Sequence, residues 1–221
     1  MNFFDKIIGT IAPHICIKCT AEGRLLCDSC AQGLIPVVSR CYRCRKLTPN
    51  SRTCSACRKT SKIYRLQVGM TYDHTAKQLI GKLKFNGAQS AAVEIAKFLS
   101  GVSSFSDDCI FVPVPTATSR VRRRGYDQAK LIARNLSKRQ KLPYLDCLMR
   151  SGQTHQIGAN RHKRLKQLTG AYRLKTINDV NGMHIILVDD VATTGATLEA
   201  AAHCLKNAGA KRVEAVVFAQ A

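Results

Sequence analysis

Asp189 and Asp190 close a run of four apolar residues, Ile185-Ile186-Leu187-Val188, and are followed by Val191-Ala192-Thr193-Thr194-Gly195-Ala196-Thr197. Two adjacent carboxylates can accept hydrogen bonds from two neighbouring sugar hydroxyls. Small hydroxyl residues with a glycine suit a backbone folded tightly around an anion, and four consecutive apolar residues suit a strand buried on both faces. From Ala196 onward, Thr197, Leu198, Ala200, Ala201, Cys204 and Leu205 keep helical spacing until near Gly209. Such a helix offers its first amides and its positive dipole end to a phosphate. A phosphate and a diol at that separation describe a ribose 5-phosphate. The competing reading is an ordinary strand-turn-helix with a polar turn, and the separate chemical job at every position weighs against it.

Eight of the eleven cysteines fall into four C-x2-C pairs: Cys16 and Cys19, Cys27 and Cys30, Cys41 and Cys44, Cys54 and Cys57. The gaps between pairs are 7, 10 and 9 residues, long enough to return the chain and too short for a core. That is zinc-knuckle spacing, in which two sulfurs from one tight turn fill half a tetrahedron and a second knuckle fills the rest. Metal then substitutes for apolar packing. Sequential pairing is simplest, with Cys16, Cys19, Cys27 and Cys30 on one Zn²⁺ and Cys41, Cys44, Cys54 and Cys57 on another; crossed pairing is the alternative. Disulfides would need an export signal, and four redox C-x-x-C motifs would be redundant. Cys109, Cys147 and Cys204 stand alone and read as core residues. Arg40, Arg43, Arg45, Lys46, Arg52, Arg58 and Lys59 surround the knuckles, with Tyr42 available to stack on a base.

The chain carries 35 Lys plus Arg against 14 Asp plus Glu. Eight thiolates (−8) with two Zn²⁺ (+4) would bring the formal charge of +21 only to +17. Between Ser119 and Lys175 there are sixteen basic residues and two acids, Asp127 and Asp146, which points to a polyanionic partner. With 6% aromatic residues and no Trp, affinity for such a partner should be mostly electrostatic. No apolar run approaches the roughly 18–20 residues that span a bilayer. Met1 to Ile15 lacks a charged leader before its apolar residues, so a signal peptide is not expected. The stretch instead suits a short helix packing Phe3, Phe4, Ile7, Ile8 and Ile11 on the next module. The composition is that of a soluble globular chain with no membrane insertion.

The elements that must position these groups follow from periodicity. Leu66 to Tyr72, Cys109 to Val114, Met183 to Asp189 and Arg212 to Ala219 read as strands. Thr75 to Phe85, Ala91 to Leu99 and Tyr126 to Leu136 read as helices. Strands alternating with helices imply a parallel α/β sheet, whose ligands sit at the carboxyl ends of strands. Both Pro113-Val114-Pro115-Thr116 and the stretch from Asp189 to Thr197 meet that rule. Residues 1–62 are expected to form the zinc-binding module and 63–221 the α/β domain. The six histidines are assigned no role.

The Asp189–Thr197 stretch resembles the phosphoribosyl diphosphate loop of type I phosphoribosyltransferases. Carried over position by position, Asp189 and Asp190 would hold the 2′ and 3′ hydroxyls and act in catalysis. Ala192, Thr193, Thr194, Gly195 and Thr197 would form the 5′-phosphate seat. From about residue 13 to 219 the chain also resembles the ComF family of competence proteins. The likeness lies in the four C-x2-C pairs, Tyr72, Leu83-Lys84, Pro113-Val114-Pro115, Arg124-Gly125-Tyr126-Asp127-Gln128-Ala129, Gln156, Arg164, Gly170-Ala171-Tyr172 and the acidic loop. That family joins a zinc finger to a type I phosphoribosyltransferase-like parallel sheet. The resemblance implies cytoplasmic handling of single-stranded DNA in natural transformation, alongside a helicase partner. It commonly has Asn where Asp127 and Gln167 stand, which puts a phosphate contact at Asp127 in doubt.

Two functions remain open at this stage. In one, the pocket binds phosphoribosyl diphosphate or a 5′-phosphorylated ribose while the basic segment grips a single strand, with Tyr126, Tyr144 and Tyr172 as stacking candidates. In the other, the chain transfers ribose 5-phosphate from phosphoribosyl diphosphate, with Mg²⁺, to an unidentified acceptor. Lys84, Arg123 and Arg124, with the Pro113 to Thr116 backbone including Pro115, would then stabilise the departing diphosphate. A regulator related to purine repressors ranks last, since no helix-turn-helix pattern is evident.

Overall fold

The computed structural model describes residues 14–34, 37–85, 88–150, 170–175 and 180–221. The expected helix over Phe3 to Ile11, and Gln156, Arg164 and Gln167, lie outside them. In chain order the elements are α1 (Asp28–Gln32), α2 (Ser55–Arg58), β1 (Leu66–Thr71), α3 (His74–Phe85), α4 (Ala88–Val102), β2 (Cys109–Pro113), α5 (Thr118–Arg124), α6 (Gln128–Gln140), β3 (Leu148–Arg150), β4 (Tyr172–Leu174), β5 (His184–Ala192), α7 (Ala196–Asn207) and β6 (Arg212–Gln220).

Four strands form one parallel sheet in the order β1-β6-β5-β2. Parallel pairing brings the ends Thr71, Gln220, Ala192 and Pro113 to a single edge. Residues 184–188 are all buried, as an apolar run covered on both faces requires. Ile185 and Leu187 face a core with Leu198, Ala201, Ala202 and Leu205 of α7; Ile186 and Val188 face one built from α3, α4 and α6. Among the described residues no helix is long and apolar enough to cross a membrane.

Three differences from the sequence reading bear on the site. β5 runs three residues past Asp189, pairing Val191 with Ala219 and Ala192 with Gln220, so the acidic pair lies within the strand. α6 begins at Gln128, because the Asp127 side chain caps it by accepting from Lys130 N–H. Leu148–Arg150 and Tyr172–Leu174 form a small antiparallel pair beside the main sheet. His184 also has partners: its Nδ1 lies 3.1 Å from Asp108 at the opposite end of β5.

The cysteine-rich segment folds as two units with the same backbone pattern. Cys16 N–H bonds to Ala21 O and Thr20 N–H to Cys16 O; likewise Cys41 N–H bonds to Lys46 O and Arg45 N–H to Cys41 O. Thr20 and Arg45 both adopt positive φ, 62° and 64°. Cys27 and Cys54 each N-cap a short helix, α1 and α2. The residue after the first cysteine differs in destination. Ile17 packs against the α3/α4 core, whereas Tyr42 enters the α7 core, so the two units grip opposite faces of the sheet.

Candidate phosphate-loop and metal site

Asp189 continues the face of Leu187 and Asp190 that of Val188, so the two side chains leave β5 on opposite sides. Each folds back on the chain: Asp189 Oδ1 accepts from Asp190 N–H and Asp190 Oδ1 from Val191 N–H, both at 2.8 Å. On the α3 side, Lys84 Nζ lies 3.2 Å from Asp190 Oδ2. On the other side, Asp189 lies within electrostatic reach of Tyr172 and Asp127. Burial, and then the Asp190 charge, push the Asp189 carboxyl well above the usual carboxylate range. Burial also pushes the Tyr172 hydroxyl up to about 12. That hydroxyl is buried without a hydrogen-bond partner among the described residues.

Beyond the strand, Thr193 and Thr194 are exposed and Thr197 is half-buried. Gly195 is buried at φ 75° and opens α7. Ala196 N–H bonds to Thr194 Oγ1 at 3.4 Å. Helix geometry leaves the first-turn N–H groups without acceptors inside the helix, and here they project from the sheet edge that carries the acidic pair. A Cβ on Gly195 would stand 2.7 and 2.9 Å from two ring carbons of Tyr42, in a backbone region that suits glycine. Gly195→Ala is therefore expected to cost about 1–3 kcal/mol, read as a lower urea midpoint with an unchanged slope.

The second loop of the edge is tied alongside. Pro113 pairs with Val188, Val114 N–H bonds to Val188 O at 2.9 Å, and Thr116 N–H donates to Asp127 Oδ2 at 2.8 Å. Asp127 is thus occupied with two backbone amides, Thr116 and Lys130, and holds the Pro115–Thr116 turn against α6. Its departure from the family's Asn has this structural employment. Arg124 lies over the Phe85 ring at 5.7 Å, next to Lys84 in sequence, while Arg120, Arg122 and Arg123 are exposed on α5. Lys84, Pro113, Pro115, Arg124, Asp189, Asp190 and the loop from Ala192 to Thr197 therefore gather at the carboxyl edge of the sheet, drawn from both of its faces. Sequence reasoning missed Glu199 as a member of this neighbourhood; it named Asp127 as a doubtful phosphate contact and Tyr172 as a stacking candidate, whereas Asp127 holds two backbone amides and the Tyr172 hydroxyl is buried.

The stacking candidates fare differently. Tyr42 is 4% exposed and covered by Gly195, so it is not available to a base. Tyr126 donates to Leu83 O at 3.0 Å, Tyr144 lies under Arg134 and Tyr172 is buried. Tyr64, not singled out in sequence, has the guanidinium groups of Arg52, Arg58 and Arg212 at 5.5, 4.4 and 3.7 Å from its ring centre. Lys130 and Lys175, in the basic segment, both pair with Asp146.

The eight paired cysteines assemble sequentially into two tetrads, each with all four sulfurs within 4.8 Å of one another. A Zn–S bond of about 2.3 Å implies a tetrahedral edge near 3.8 Å. Cys19 and Cys27 sulfurs are 3.6 Å apart, and Cys44 and Cys54 sulfurs 3.5 Å, so the donor set and spacing fit zinc. Burial would raise the Cys16 and Cys41 thiols, yet backbone N–H groups aimed at their sulfurs bring both down to about 6. Thiolates, the ligating form, are favoured there. Burial instead holds Cys109 up at about 11, in keeping with a core residue.

Residues 77–221 match the family model described as phosphoribosyl transferase domain. Competence protein ComFC of Bacillus subtilis (strain 168) is 32% identical over 148 residues, covering 63% of this chain and 57% of that protein. DNA utilization protein YhgH of Salmonella typhi is 28% identical over 91% of this chain and 95% of its own length. The chain thus matches little more than half the length of ComFC and nearly all of YhgH. Among solved structures, the glutamine phosphoribosylpyrophosphate amidotransferase from B. subtilis superposes with a TM-score of 0.42 at 20% identity, covering 58% of this chain and 26% of that one. Purine phosphoribosyltransferase from Pyrococcus horikoshii Ot3 gives a TM-score of 0.36 at 16% identity, covering 70% and 77%. The family model covers strands β2 to β6 with the acidic loop, and the YhgH likeness runs over nearly the whole chain: the chain belongs to the phosphoribosyl transferase domain family, and its similarity to proteins named for competence and DNA utilization supports a ComF-family protein.

Proposed function

We propose that this chain binds phosphoribosyl diphosphate or another 5′-phosphorylated ribose at residues 189–197 and handles single-stranded DNA during natural transformation. The observation that carries the first half is the juxtaposition of Asp189 and Asp190 at the end of β5 with the glycine-opened helix α7. Sugar hydroxyls would donate to the carboxylates, and the 5′-phosphate would accept from the amides around Thr194 to Thr197. The Tyr172 hydroxyl, lacking a partner among the described residues, supports a polar occupant beside Asp189. The DNA half draws on relatives named for competence and DNA utilization and on the exposed Arg120, Arg122 and Arg123. Residues 1–62 would act as the metal-held module and 63–221 as the ligand domain. A cytoplasmic site of action and a helicase partner follow from the same reading.

A second reading, phosphoribosyl transfer, is favoured by the Lys84 ammonium 3.2 Å from Asp190. The acceptor would form a bond to C1 as the C1–oxygen bond to diphosphate breaks and diphosphate leaves. Lys84 and Arg124 would stabilise its charge. Mg²⁺ would accompany the diphosphate, and the hard oxygens of Asp189 and Asp190 suit it as ligands.

Calorimetry with phosphoribosyl diphosphate, followed by pyrophosphate release assays with a panel of nucleobases and amines, separates the readings. Binding without turnover on any acceptor is expected for the first, and turnover would establish the second. For DNA, log affinity should fall with log salt by about 0.7 per phosphate contacted. Some five contacts would give about a 100-fold loss between 50 and 200 mM salt. A flat salt dependence would contradict electrostatic gripping.

A further inference from the structure

Tyr42 follows the first cysteine of the second tetrad, and its ring lies on the backbone of Gly195. Its hydroxyl donates to Glu199 Oε1, as does the Ser61 hydroxyl, while Lys62 N–H donates to Glu199 Oε2 at 3.1 Å. Glu199 belongs to the first turn of α7. The glycine of the loop and the helix it opens are therefore both attached to one metal unit. The other unit docks elsewhere, through Arg24 on Glu94 and Asp28 on Lys97 of α4, at 3.0 and 2.5 Å.

We infer that Tyr42 is a positioning residue for the phosphate loop, so that zinc in the Cys41-Cys44-Cys54-Cys57 tetrad and a phosphorylated pentose at residues 193–197 bind with positive coupling. This rests on the reading of 189–197 as a phosphoribosyl seat. The ring stands between two ligands, Cys41 and Cys44, in a turn too small to hold itself by apolar packing. Metal fixes that turn, the turn fixes the ring, and the ring with Glu199 fixes the backbone whose amides must converge on the anion. A loop already ordered costs less to bind. Linkage makes the effect mutual: whatever zinc contributes to ligand affinity, the ligand returns to zinc affinity.

The test uses the full chain loaded with zinc. The affinity of each tetrad is measured by equilibrium competition with a chelator, with and without ribose 5-phosphate, the tetrads being assigned through Cys19→Ser and Cys44→Ser. Ribose 5-phosphate should raise the affinity of the second tetrad about fivefold or more and leave the first unchanged. Tyr42→Leu should abolish the rise, and Tyr42→Phe, which keeps the ring on Gly195, should restore part of it. Should Tyr42→Leu fail to fold, the comparison of the two tetrads in the unaltered chain decides alone. If calorimetry shows ribose 5-phosphate bound while the second tetrad is unaffected, or both tetrads tighten equally, the inference falls and the phosphoribosyl reading stands. If ribose 5-phosphate does not bind, both fall.

Discussion

Replacing Asp189 and Asp190 together with alanine is expected to weaken phosphoribosyl diphosphate binding by about 10²–10⁴-fold, as measured by calorimetry. The magnitude comes from two hydrogen bonds to charged acceptors at about 1.5–3 kcal/mol each. The milder Asp189→Asn should weaken binding too, and at neutral pH it should make the protein more stable. Burial and the neighbouring Asp190 raise the folded-state pKa of Asp189 well above the value of an unfolded carboxyl. The folded chain therefore holds that proton more tightly than the unfolded chain. The stability this contributes is fully present below the ordinary carboxylate range and is lost as pH rises through the raised value. An amide escapes the cost of ionisation while still accepting from Asp190 N–H. The Tm of Asp189→Asn relative to the unaltered chain should accordingly climb as pH rises from about 4, by about 2–4 °C per kcal/mol relieved in a chain of this size. A variant that is less stable at every pH would mean that Asp189 serves the fold and not a ligand.

Stripping zinc is expected to unfold the two cysteine units while the sheet survives. Zinc held by such sites contributes about 10–16 kcal/mol of apparent binding free energy, comparable to the whole stability of an ordinary domain at about 5–15 kcal/mol. The units have little to set against its loss. Leu25 and Leu26 in the first and Tyr42 in the second are among their few buried apolar side chains. β6, by contrast, is buried from Val213 to Ala219 and β5 from His184 to Val188, between two cores. Metal analysis should give two zinc ions per chain. After chelation, hydrogen exchange should rise across residues 14–33 and 38–60 and stay slow in 184–188 and 213–219. Retained protection in the cysteine units after complete removal of metal would contradict a metal-held module.

The parts of this protein that could be read from its sequence are those in which one local rule decides. Ile185 to Val188 is apolar at every position and became a strand buried on both faces; the cysteine doublets fixed their own partners through short gaps; Ala196 to Asn207 kept a helical stripe. What escaped was governed by distant or weak signals. α5 has a single apolar residue, Val121, among arginines and polar residues, so it shows no stripe, and only Gly125 at φ 79° marks its end. β3 and β4 have three residues each, too few for a period-two pattern. Tyr42 reads as an exposed aromatic because basic residues surround it, yet its partners, Gly195 and Glu199, lie on the far side of the chain in sequence. The equivalence of the two cysteine units is carried by backbone bonds and by the positive φ of Thr20 and Arg45, neither of which is a glycine.

Both functions proposed for this chain require the strand end at Asp189–Asp190 and the loop into α7 to form a seat for a phosphorylated pentose. A crystal structure of the full chain grown with phosphoribosyl diphosphate tests it most directly. It should show the 5′-phosphate within hydrogen-bond distance of amides between Thr194 and Thr197, with the ribose diol on Asp189 and Asp190. A diphosphate bound elsewhere on the basic surface, with this loop empty at saturating ligand, would contradict it.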